Sequence, residues 1–198
     1  FTQLELIELQ QTVNGDEVAT PHNINVTISG VSNNTSVNLT ITNSTQISLL
    51  LDVNQTLCGN YNTSRALVSN LNASGDCFII NASDVTIEGN GAIVEGNGSG
   101  VGINISHFVN VTITNITFRN FSTGILFYNS TNGTIKYSTI NNNTVGLEFT
   151  NYSHDNNITS NYIQNSTENG TVFFSSDNNT IYNNYFSTNE NDAYDNGT

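Results

Sequence analysis

The stretch NVTITNITFRNFS, residues 110–122, interleaves apolar residues with acceptor tripeptides for N-linked sugar, Asn-x-Ser/Thr. The tripeptides begin at Asn110, Asn115 and Asn120. The apolar residues between them are Val111, Ile113, Ile116, Phe118 and Phe121. Side chains alternate between the two faces of a strand, and the first two apolar residues have the opposite parity to the next two. Both of these pairs can point inward only if the chain turns between them, near Thr114 and Asn115.

The same pattern returns along the chain. Isoleucines in similar Asn- and Thr-rich contexts occupy positions 87, 113, 135, 158 and 181, with spacings of 26, 22, 23 and 23 residues. A second series interleaves with them: CFIINAS (77–83), VGINIS (101–106), TGILFYN (123–129), VGLEFT (145–150) and GTVFFSS (170–176). Repeats of this length, built of short β runs without a helical period, predict a β-solenoid whose coils stack on one another.

The parity break marks a corner in each coil. It recurs between Ile135/Tyr137 and Ile140, which predicts that Ile135 and Tyr137 point inward together, and again between Ile181 and Phe186. Asn and Gly tolerate left-handed backbone and suit such corners. Asparagines at equivalent corners could also stack as an amide ladder, which would explain the Asn richness without any sugar.

Three stretches carry a resemblance to a known family: CFIINASDVTIEGNG (77–91), GINISHFVNVTITNITFRNFSTGILFYNSTNGTI (102–135) and SSDNNTIYNNYFSTNENDAYDNGT (175–198). They resemble the right-handed parallel β-helix repeats of NosD-type and related archaeal cell-surface proteins. The resemblance covers about residues 56–198 and implies an all-β fold. It says little about function, because this repeat serves lyases, hydrolases, periplasmic proteins and adhesins alike.

The N-terminal residues do not match the coil repeat. Three stretches there have the alternating apolar positions of strands: INVTISG (24–30), SVNLTITN (36–43) and TQISLLLDV (45–53). They predict either a small sandwich-like cap or imperfect first coils. The expected organisation is an N-terminal extension over residues 1–20, a β cap or irregular coils over 21–55, and β-helix repeats over 56–198.

Residues 1–13, FTQLELIELQQTV, suit an amphipathic helix or a strand, and their Glu and Gln content favours a helix. An apolar N-terminal strand without a local partner is also a candidate for strand addition to another copy of the chain. The residues that would join the subunits are Leu4, Leu6, Ile7 and Leu9. The alternative is that this segment covers the end of its own solenoid.

Charge is scarce in this chain of 198 residues, of which 10% are charged, and the net charge is −13. The basic residues are Arg65, Arg119 and Lys136. Nucleic acid is therefore excluded as a partner, because phosphate neutralisation needs many Lys and Arg side chains. An anionic membrane surface is disfavoured for the same reason. No stretch approaches the roughly 20 apolar residues of a membrane span.

Cys58 and Cys77 are the two cysteines of the chain. An even pair among many glycosylation acceptors predicts one disulfide formed outside the reducing cytosol; the alternative is two buried free thiols. Such a bridge contributes about 3 kcal/mol in the chain-entropy model. The chain contains no Met, so Phe1 is not a translation start. We expect an extracellular or cell-surface location after removal of an export signal.

Acceptor tripeptides occur throughout the chain, and sugar attachment requires an exposed Asn, typically on a turn. Asn115, at the inferred corner, is therefore a better candidate than an Asn in mid-strand. The candidate glycosylation sites are Asn25, Asn34, Asn38, Asn43, Asn54, Asn62, Asn72, Asn81, Asn97, Asn104, Asn115, Asn120, Asn129, Asn132, Asn142, Asn151, Asn157, Asn165, Asn169 and Asn178. An Asn- and Thr-rich composition alone accounts for part of this number.

Carboxylates do not form an enzymatic pattern. Glycosidases need two carboxyl groups at a defined separation. Asp84 and Glu88 flank one strand but lie four residues apart, and Glu95 and Glu148 stand separately. Arg119 follows a strand and is placed to pair with a carboxylate on the next coil. We expect surface residues here and no enzyme.

Metal ligands are equally sparse. The histidines, His22, His107 and His154, are scattered, and without Met the chain lacks the soft ligands of the copper role that NosD resemblance suggests. The segment NENDAYD (189–195) offers oxygen ligands for calcium from Glu190, Asp192 and Asp195. It lacks the spacing of a defined calcium loop. We expect covalent N-glycans and no resident cofactor, calcium being the metal that the chain suits best.

These patterns favour a structural role. We expect an exported, heavily N-glycosylated subunit of an archaeal surface assembly, such as a filament, thread, pilus or surface layer, that serves adhesion. Its partners would be further copies of itself in a homopolymer, and surface glycans. The alternative is a carbohydrate-binding or polysaccharide-cleaving β-helix protein, and a third possibility is a monomeric surface domain of a larger protein.

Overall fold

The computed structural model describes residues 22–27, 36–41 and 57–196. The chain divides into two compact units, Phe1–Val53 and Asn54–Thr198. In the first unit, strands β1 (His22–Thr27) and β2 (Ser36–Ile41) pair antiparallel. The predicted joining residues Leu4, Leu6, Ile7 and Leu9 lie outside the described residues, so strand addition remains a prediction.

The second unit consists of three parallel sheets. Sheet 1 contains β4 (Arg65–Ala66), β7 (Thr86–Glu88), β10 (Thr112–Thr114), β13 (Thr134–Lys136), β16 (Asn157–Thr159) and β19 (Thr180–Tyr182). Sheet 2 contains β5 (Leu71–Asn72), β8 (Ile93–Glu95), β11 (Thr117–Arg119), β14 (Thr139–Asn141), β17 (Tyr162–Gln164) and β20 (Tyr185–Ser187). Sheet 3 contains β3 (Gly59–Tyr61), β6 (Phe78–Ile80), β9 (Val101–Ser106), β12 (Thr123–Tyr128), β15 (Val145–Thr150), β18 (Asn169–Phe174) and β21 (Asn191–Asp195).

The chain visits the three sheets in a fixed order, so one strand from each sheet makes a coil. Every neighbour within a sheet belongs to the adjacent coil, and every such pairing is parallel. The result is the predicted all-β solenoid, with β3 preceding the first complete coil.

Sheet 1 confirms the predicted column of isoleucines. Ile113 lies opposite Ile87 on one side and Ile135 on the other, and the same register continues through Ile158 to Ile181. The first four are at most 1% exposed, whereas Ile181, on the last coil, is 36% exposed. Full burial of such a side chain stabilises the fold by about 1.5–3 kcal/mol.

The other two sheets supply parallel columns to the same core. Phe118 of sheet 2 lies between Val94 and Ile140 of the adjacent coils. In sheet 3, three phenylalanines stack on successive coils with ring centroids 5.1 and 5.0 Å apart: Phe127, Phe149 and Phe173. These columns form one continuous hydrophobic cluster along the solenoid.

The corner between sheets 1 and 2 forms where the backbone turns left-handed. Asn115 has φ of 54°, which confirms the predicted break after Thr114. The expectation that Tyr137 points inward beside Ile135 is wrong, because Tyr137 is itself the corner residue, with φ of 53° and 65% exposure. The left-handed residue ends the strand alternation one position earlier than a parity count assumes.

A disulfide ties β3 to the first complete coil. Cys58 and Cys77 are bonded, as predicted, across a sequence separation of 19 residues. Beside the bridge, Tyr61 packs edge-on against Phe78, with ring centroids 5.5 Å apart. Burial raises the pKa of the Tyr61 phenol, while its hydrogen bond to Leu57 acts in the opposite direction. The bridge and this ring pair together hold the start of the solenoid.

We predict that Ile113→Ala lowers the free energy of unfolding by about 2–5 kcal/mol, because it leaves a cavity in the middle of the column. The matched control is Thr112→Ala on the same strand, whose side chain faces outward and whose loss should cost within about 1 kcal/mol. Denaturant unfolding followed by circular dichroism measures both. Equal effects of the two changes would contradict the column.

Candidate functional site

Corner asparagines fall into two classes that differ in side-chain direction. Asn143, Asn156 and Asn161 face the core and are 1% exposed. The other class lies in left-handed backbone with φ between 47° and 60° and comprises Asn90, Asn110, Asn115, Asn120, Asn129, Asn132, Asn142, Asn151, Asn165, Asn178 and Asn183. Nine of these eleven are exposed, Asn115 and Asn142 among them, and none is buried.

The inward class forms the amide ladder that the sequence allowed. The Asn161 Oδ1 accepts a hydrogen bond from the backbone N–H of Ser138 at 2.9 Å, and its Nδ2 donates to the carbonyl of Ile135 at 2.9 Å, both on the preceding coil. The same Nδ2 lies 3.0 Å from the Oδ1 of Asn184 on the following coil. Because buried backbone groups must be paired, this amide replaces the strand ladder where the strands are interrupted.

Other corners use the same device. Asn156 accepts from the Gly133 N–H at 2.7 Å, and Asn143 accepts from the Phe121 N–H at 2.9 Å. After sheet 3, serines on successive coils pair the backbone in the same way. The Ser130 N–H donates to the Ser153 hydroxyl at 3.2 Å, and the Ser153 N–H donates to the Ser176 hydroxyl at 3.1 Å. Sequence reasoning missed these serines, although their spacing of 23 residues was a usable signal.

Nine of the eleven outward asparagines begin acceptor tripeptides, Asn90 and Asn183 being the exceptions, and strand geometry explains most of them. After eight of the nine, the next residue points inward and the one after it points outward, where Thr or Ser suits a solvated β surface. Asn115, Ile116 and Thr117 illustrate this order, because Ile116 is 2% exposed and Thr117 lies on the outer side of β11. After Asn151 the order is reversed, because Tyr152 is exposed and Ser153 is buried. None of the inward asparagines Asn143, Asn156 and Asn161 begins a tripeptide.

The predicted acceptors differ in accessibility. Exposed ones are Asn62, Asn72, Asn81, Asn97, Asn115, Asn129, Asn132, Asn142, Asn165 and Asn178. Half-buried ones are Asn104, Asn120, Asn151, Asn157 and Asn169. Asn25 and Asn38 lie in β1 and β2, and three others, Asn34, Asn43 and Asn54, lie outside the described residues. No acceptor whose side chain is described is buried.

The four candidate carboxylates are separated by the three-sided cross-section. Glu88, Glu95 and Glu148 occupy outer positions of sheets 1, 2 and 3 respectively. Asp84 lies at the corner before sheet 1, where its Oδ1 accepts from the Asn110 Nδ2 at 2.7 Å. Residues on different sheets point away from each other, so the three glutamates do not form a catalytic carboxylate pair with one another.

Arg119 forms an ion pair with Glu95, whose carboxylate also accepts a hydrogen bond from the Asn120 Nδ2. The predicted partner on the next coil is wrong, because Glu95 belongs to the preceding coil. The pair is partly exposed, with 40% and 28% of the two side chains accessible. It therefore ties two coils together at the surface and contributes at most about 1 kcal/mol.

The described residues offer no convergent metal site: within 22–27, 36–41 and 57–196, no group of three or more His, Cys, Asp and Glu side chains could hold an ion. His107 contacts Asn129 at 2.9 Å, and His154 accepts from the Asp177 N–H at 2.8 Å. In the calcium candidate segment, Asp192 accepts from the Asn189 Nδ2 at 3.1 Å. None of the described residues forms a helix long and apolar enough to cross a membrane.

One shallow groove, of about 390 Å³, lies at the corner between sheets 2 and 3. Its lining contains only Gly, Asn, Thr and Phe residues, including the acceptors Asn97, Asn120 and Asn142. No side chain in this lining could act as a general acid or base near neutral pH. The groove is thus an amide-rich surface without catalytic groups.

Residues 58–197 match a family model described as a right-handed β-helix region. Comparison with curated proteins and with solved structures gave no significant match. The matched range covers all six complete coils, and their parallel sheets agree with a β-helix. The family description identifies the helix as right-handed.

We predict that Asn161→Ala lowers the free energy of unfolding by about 1–3 kcal/mol for each backbone group left unpaired, here the Ser138 N–H and the Ile135 carbonyl. The matched control is Asn142→Gly, an exposed left-handed corner position where Gly is tolerated, which should change stability by only a few tenths of a kcal/mol. Thermal and denaturant unfolding measure the difference. A neutral Asn161→Ala would contradict the ladder.

Proposed function

Because the chain belongs to the right-handed β-helix family, whose members include enzymes and structural proteins, its role has to be read from its surface, and we propose a structural one. The protein is a subunit of an extracellular, N-glycosylated surface assembly of the filament, thread, pilus or surface-layer kind, archaeal in origin, and serves adhesion. The observation that carries this proposal is the placement of acceptor asparagines at the outward corners.

Acceptors on successive coils form columns at those corners. Asn120, Asn142 and Asn165 each follow a strand of sheet 2, on three consecutive coils. Strands of adjacent coils lie about 4.8 Å apart, so sugars on such a column would be closely spaced. A row of glycans at this density shields the backbone and supplies the solubility that so few charged residues provide. The Cys58–Cys77 bridge supports an oxidising compartment.

The first strand of sheet 1 supports joining by a donated strand rather than bare end-to-end stacking. Arg65 of β4 lies opposite Ile87 at the start of the isoleucine column. Charged residues at inward positions of edge strands disfavour unspecific pairing of sheet edges. An N-terminal strand carrying Leu4, Leu6, Ile7 and Leu9 would instead provide a specific joint between copies.

Polysaccharide cleavage has no supporting observation in the described residues, because the three candidate glutamates lie on different sheets and the amide-rich groove contains no titratable side chain. Carbohydrate binding without cleavage needs no catalytic carboxylates, and it would involve a different part of the surface.

We predict that glycopeptide mass spectrometry of the native protein finds sugar at the exposed corners Asn115, Asn132 and Asn142. Occupancy should be lower at Asn104 and Asn169, which are half-buried in strands of sheet 3. The physical reason is that the side chain of an acceptor Asn must project from the protein surface to be modified and to carry a sugar. Unmodified Asn at all these positions would refute the glycosylated surface.

We predict filaments or sheets in electron micrographs of the native protein, and single particles after deletion of residues 1–13. A variant with Leu4→Ser and Leu6→Ser keeps the chain length and tests the apolar contacts alone. Polymers formed by the deletion variant would refute strand addition, whereas single particles of the intact native protein would refute the assembly itself.

A further inference from the structure

Most buried aromatic rings are phenylalanines and most exposed ones are tyrosines, although Phe174 is 38% exposed. Five phenylalanines are at most 1% exposed: Phe78, Phe118, Phe121, Phe127 and Phe149. Seven of the eight tyrosines are 38–65% exposed: Tyr128, Tyr137, Tyr152, Tyr162, Tyr182, Tyr185 and Tyr194. All seven lie in the C-terminal half of the chain. The tyrosines therefore contribute little to the core, and their placement calls for another explanation.

Four of these tyrosines surround the corner between sheets 1 and 2 on three consecutive coils, and we call them the tyrosine patch: Tyr137, Tyr162, Tyr182 and Tyr185. Tyr162 and Tyr185 lie opposite each other in adjacent strands of sheet 2, with ring centroids 5.8 Å apart. Tyr182 ends β19, and Tyr185 begins β20 after the two corner residues. Tyr137 occupies the same corner on the coil that precedes Tyr162.

The backbone at Tyr137 makes the patch hard to explain structurally. Equivalent corner positions on other coils hold Asn115, Ser160 and Asn183, all small polar residues in left-handed backbone. A bulky side chain is disfavoured in this conformation. Since Tyr137 is 65% exposed, burial does not compensate the strain. Strained, exposed residues of this kind are candidates for function.

The chemistry around the patch narrows the class of ligand. The outer positions of the six strands at this corner hold Thr, Asn, Gln, Ser and Tyr, and their one charged residue is Lys136, whose Nζ lies 5.9 Å from the centre of the Tyr137 ring. An anionic membrane or a nucleic acid would need several basic side chains. The surface instead alternates aromatic rings with amides and hydroxyls, which suits a ligand that has apolar C–H faces and many hydroxyl groups.

We propose that the tyrosine patch binds a neutral polysaccharide. Pyranose C–H faces stack on the rings of Tyr162 and Tyr185, while the amide of Gln164 and the hydroxyl of Thr159 hydrogen-bond to sugar hydroxyls. The chain's net charge of −13 repels acidic polysaccharides, which is why the neutral class is selected. This inference adds a ligand to the proposed adhesive role and does not depend on polymer formation.

The test uses the full 198-residue chain, produced in a host without N-glycosylation so that its own sugars cannot occupy the patch. The probes are soluble β-glucan, mannan and xylan, with polygalacturonate as the acidic arm, in affinity electrophoresis and calorimetric titration. Because the chain has no Trp, its tyrosine fluorescence reports ligand binding directly.

The test variant is Tyr162→Ala with Tyr185→Ala, and the matched control is Tyr128→Ala with Tyr194→Ala, two exposed tyrosines of sheet 3. Loss of two stacking rings should weaken binding to a neutral polysaccharide about tenfold or more, while the control binds like the unchanged chain. Tyr137→Asn should raise the melting temperature by relieving the backbone and should also weaken binding. An unchanged melting temperature of the double variant shows that its fold is kept.

The proposal is overturned if the unchanged chain binds none of the neutral probes, if it prefers polygalacturonate, or if the double variant and the control bind equally. A double variant that loses self-association but binds sugar normally would assign the patch to contacts between copies, which also overturns it. Electron microscopy of the double variant separates the two proposals, because filaments should persist when sugar binding is lost.

Discussion

Register between successive coils is the constraint on which the structure depends, and buried hydrogen bonding at the corners enforces it. Three corners per coil interrupt the strands and leave backbone N–H and carbonyl groups inside the solenoid, where unpaired polar groups are costly. Asn161 pairs with Ser138 and Ile135 on the coil before it, and the same geometry recurs at Asn156 and Asn143. A shift of one residue in a single coil would break these amide contacts and would also move the apolar columns out of line.

The acceptor tripeptide is a by-product of that corner, which changes how its abundance should be interpreted. A left-handed Asn, an inward residue and an outward Thr together spell Asn-x-Thr, as at Asn115 to Thr117. The tripeptides at these corners therefore follow from the fold, and their number is weak evidence for sugar. Their position is stronger evidence, because the same geometry presents each left-handed Asn toward solvent while it withdraws the amide-ladder asparagines. A β-helix of this composition is thus prepared for dense glycosylation without any change to its core.

Features of the fold that depend on residue spacing and parity could be predicted from the sequence. Features that depend on the backbone conformation of a single residue could not. The isoleucine column and the turn at Asn115 could be predicted because both follow from residue spacing. Parity predicts an inward Tyr137, because parity alone does not show which residue has the left-handed backbone. Alignment with Asn115, one period earlier, does put Tyr137 at the corner. No carboxylate stands close to Arg119 along the chain. The sequence therefore could not show whether its side chain pairs with the following coil or with Glu95 on the preceding one. The N-terminal unit offered no repeat to align, and its organisation stays a prediction.

Separation of inward and outward positions lets the surface change from coil to coil at little cost to the core. Outward residues are mostly Thr, Asn and Ser, so departures from them stand out: Glu95 with Arg119 on early coils, and tyrosines on late ones. The ion pair has a structural role, because it joins two coils. The tyrosines bury little surface, and two of them, Tyr137 and Tyr152, lie in left-handed backbone, so stability does not account for them. At Tyr137 an Asn or Ser, the residues that the equivalent corners use, would relieve the backbone, and the proposed contact with a ligand outside the chain accounts for the Tyr there.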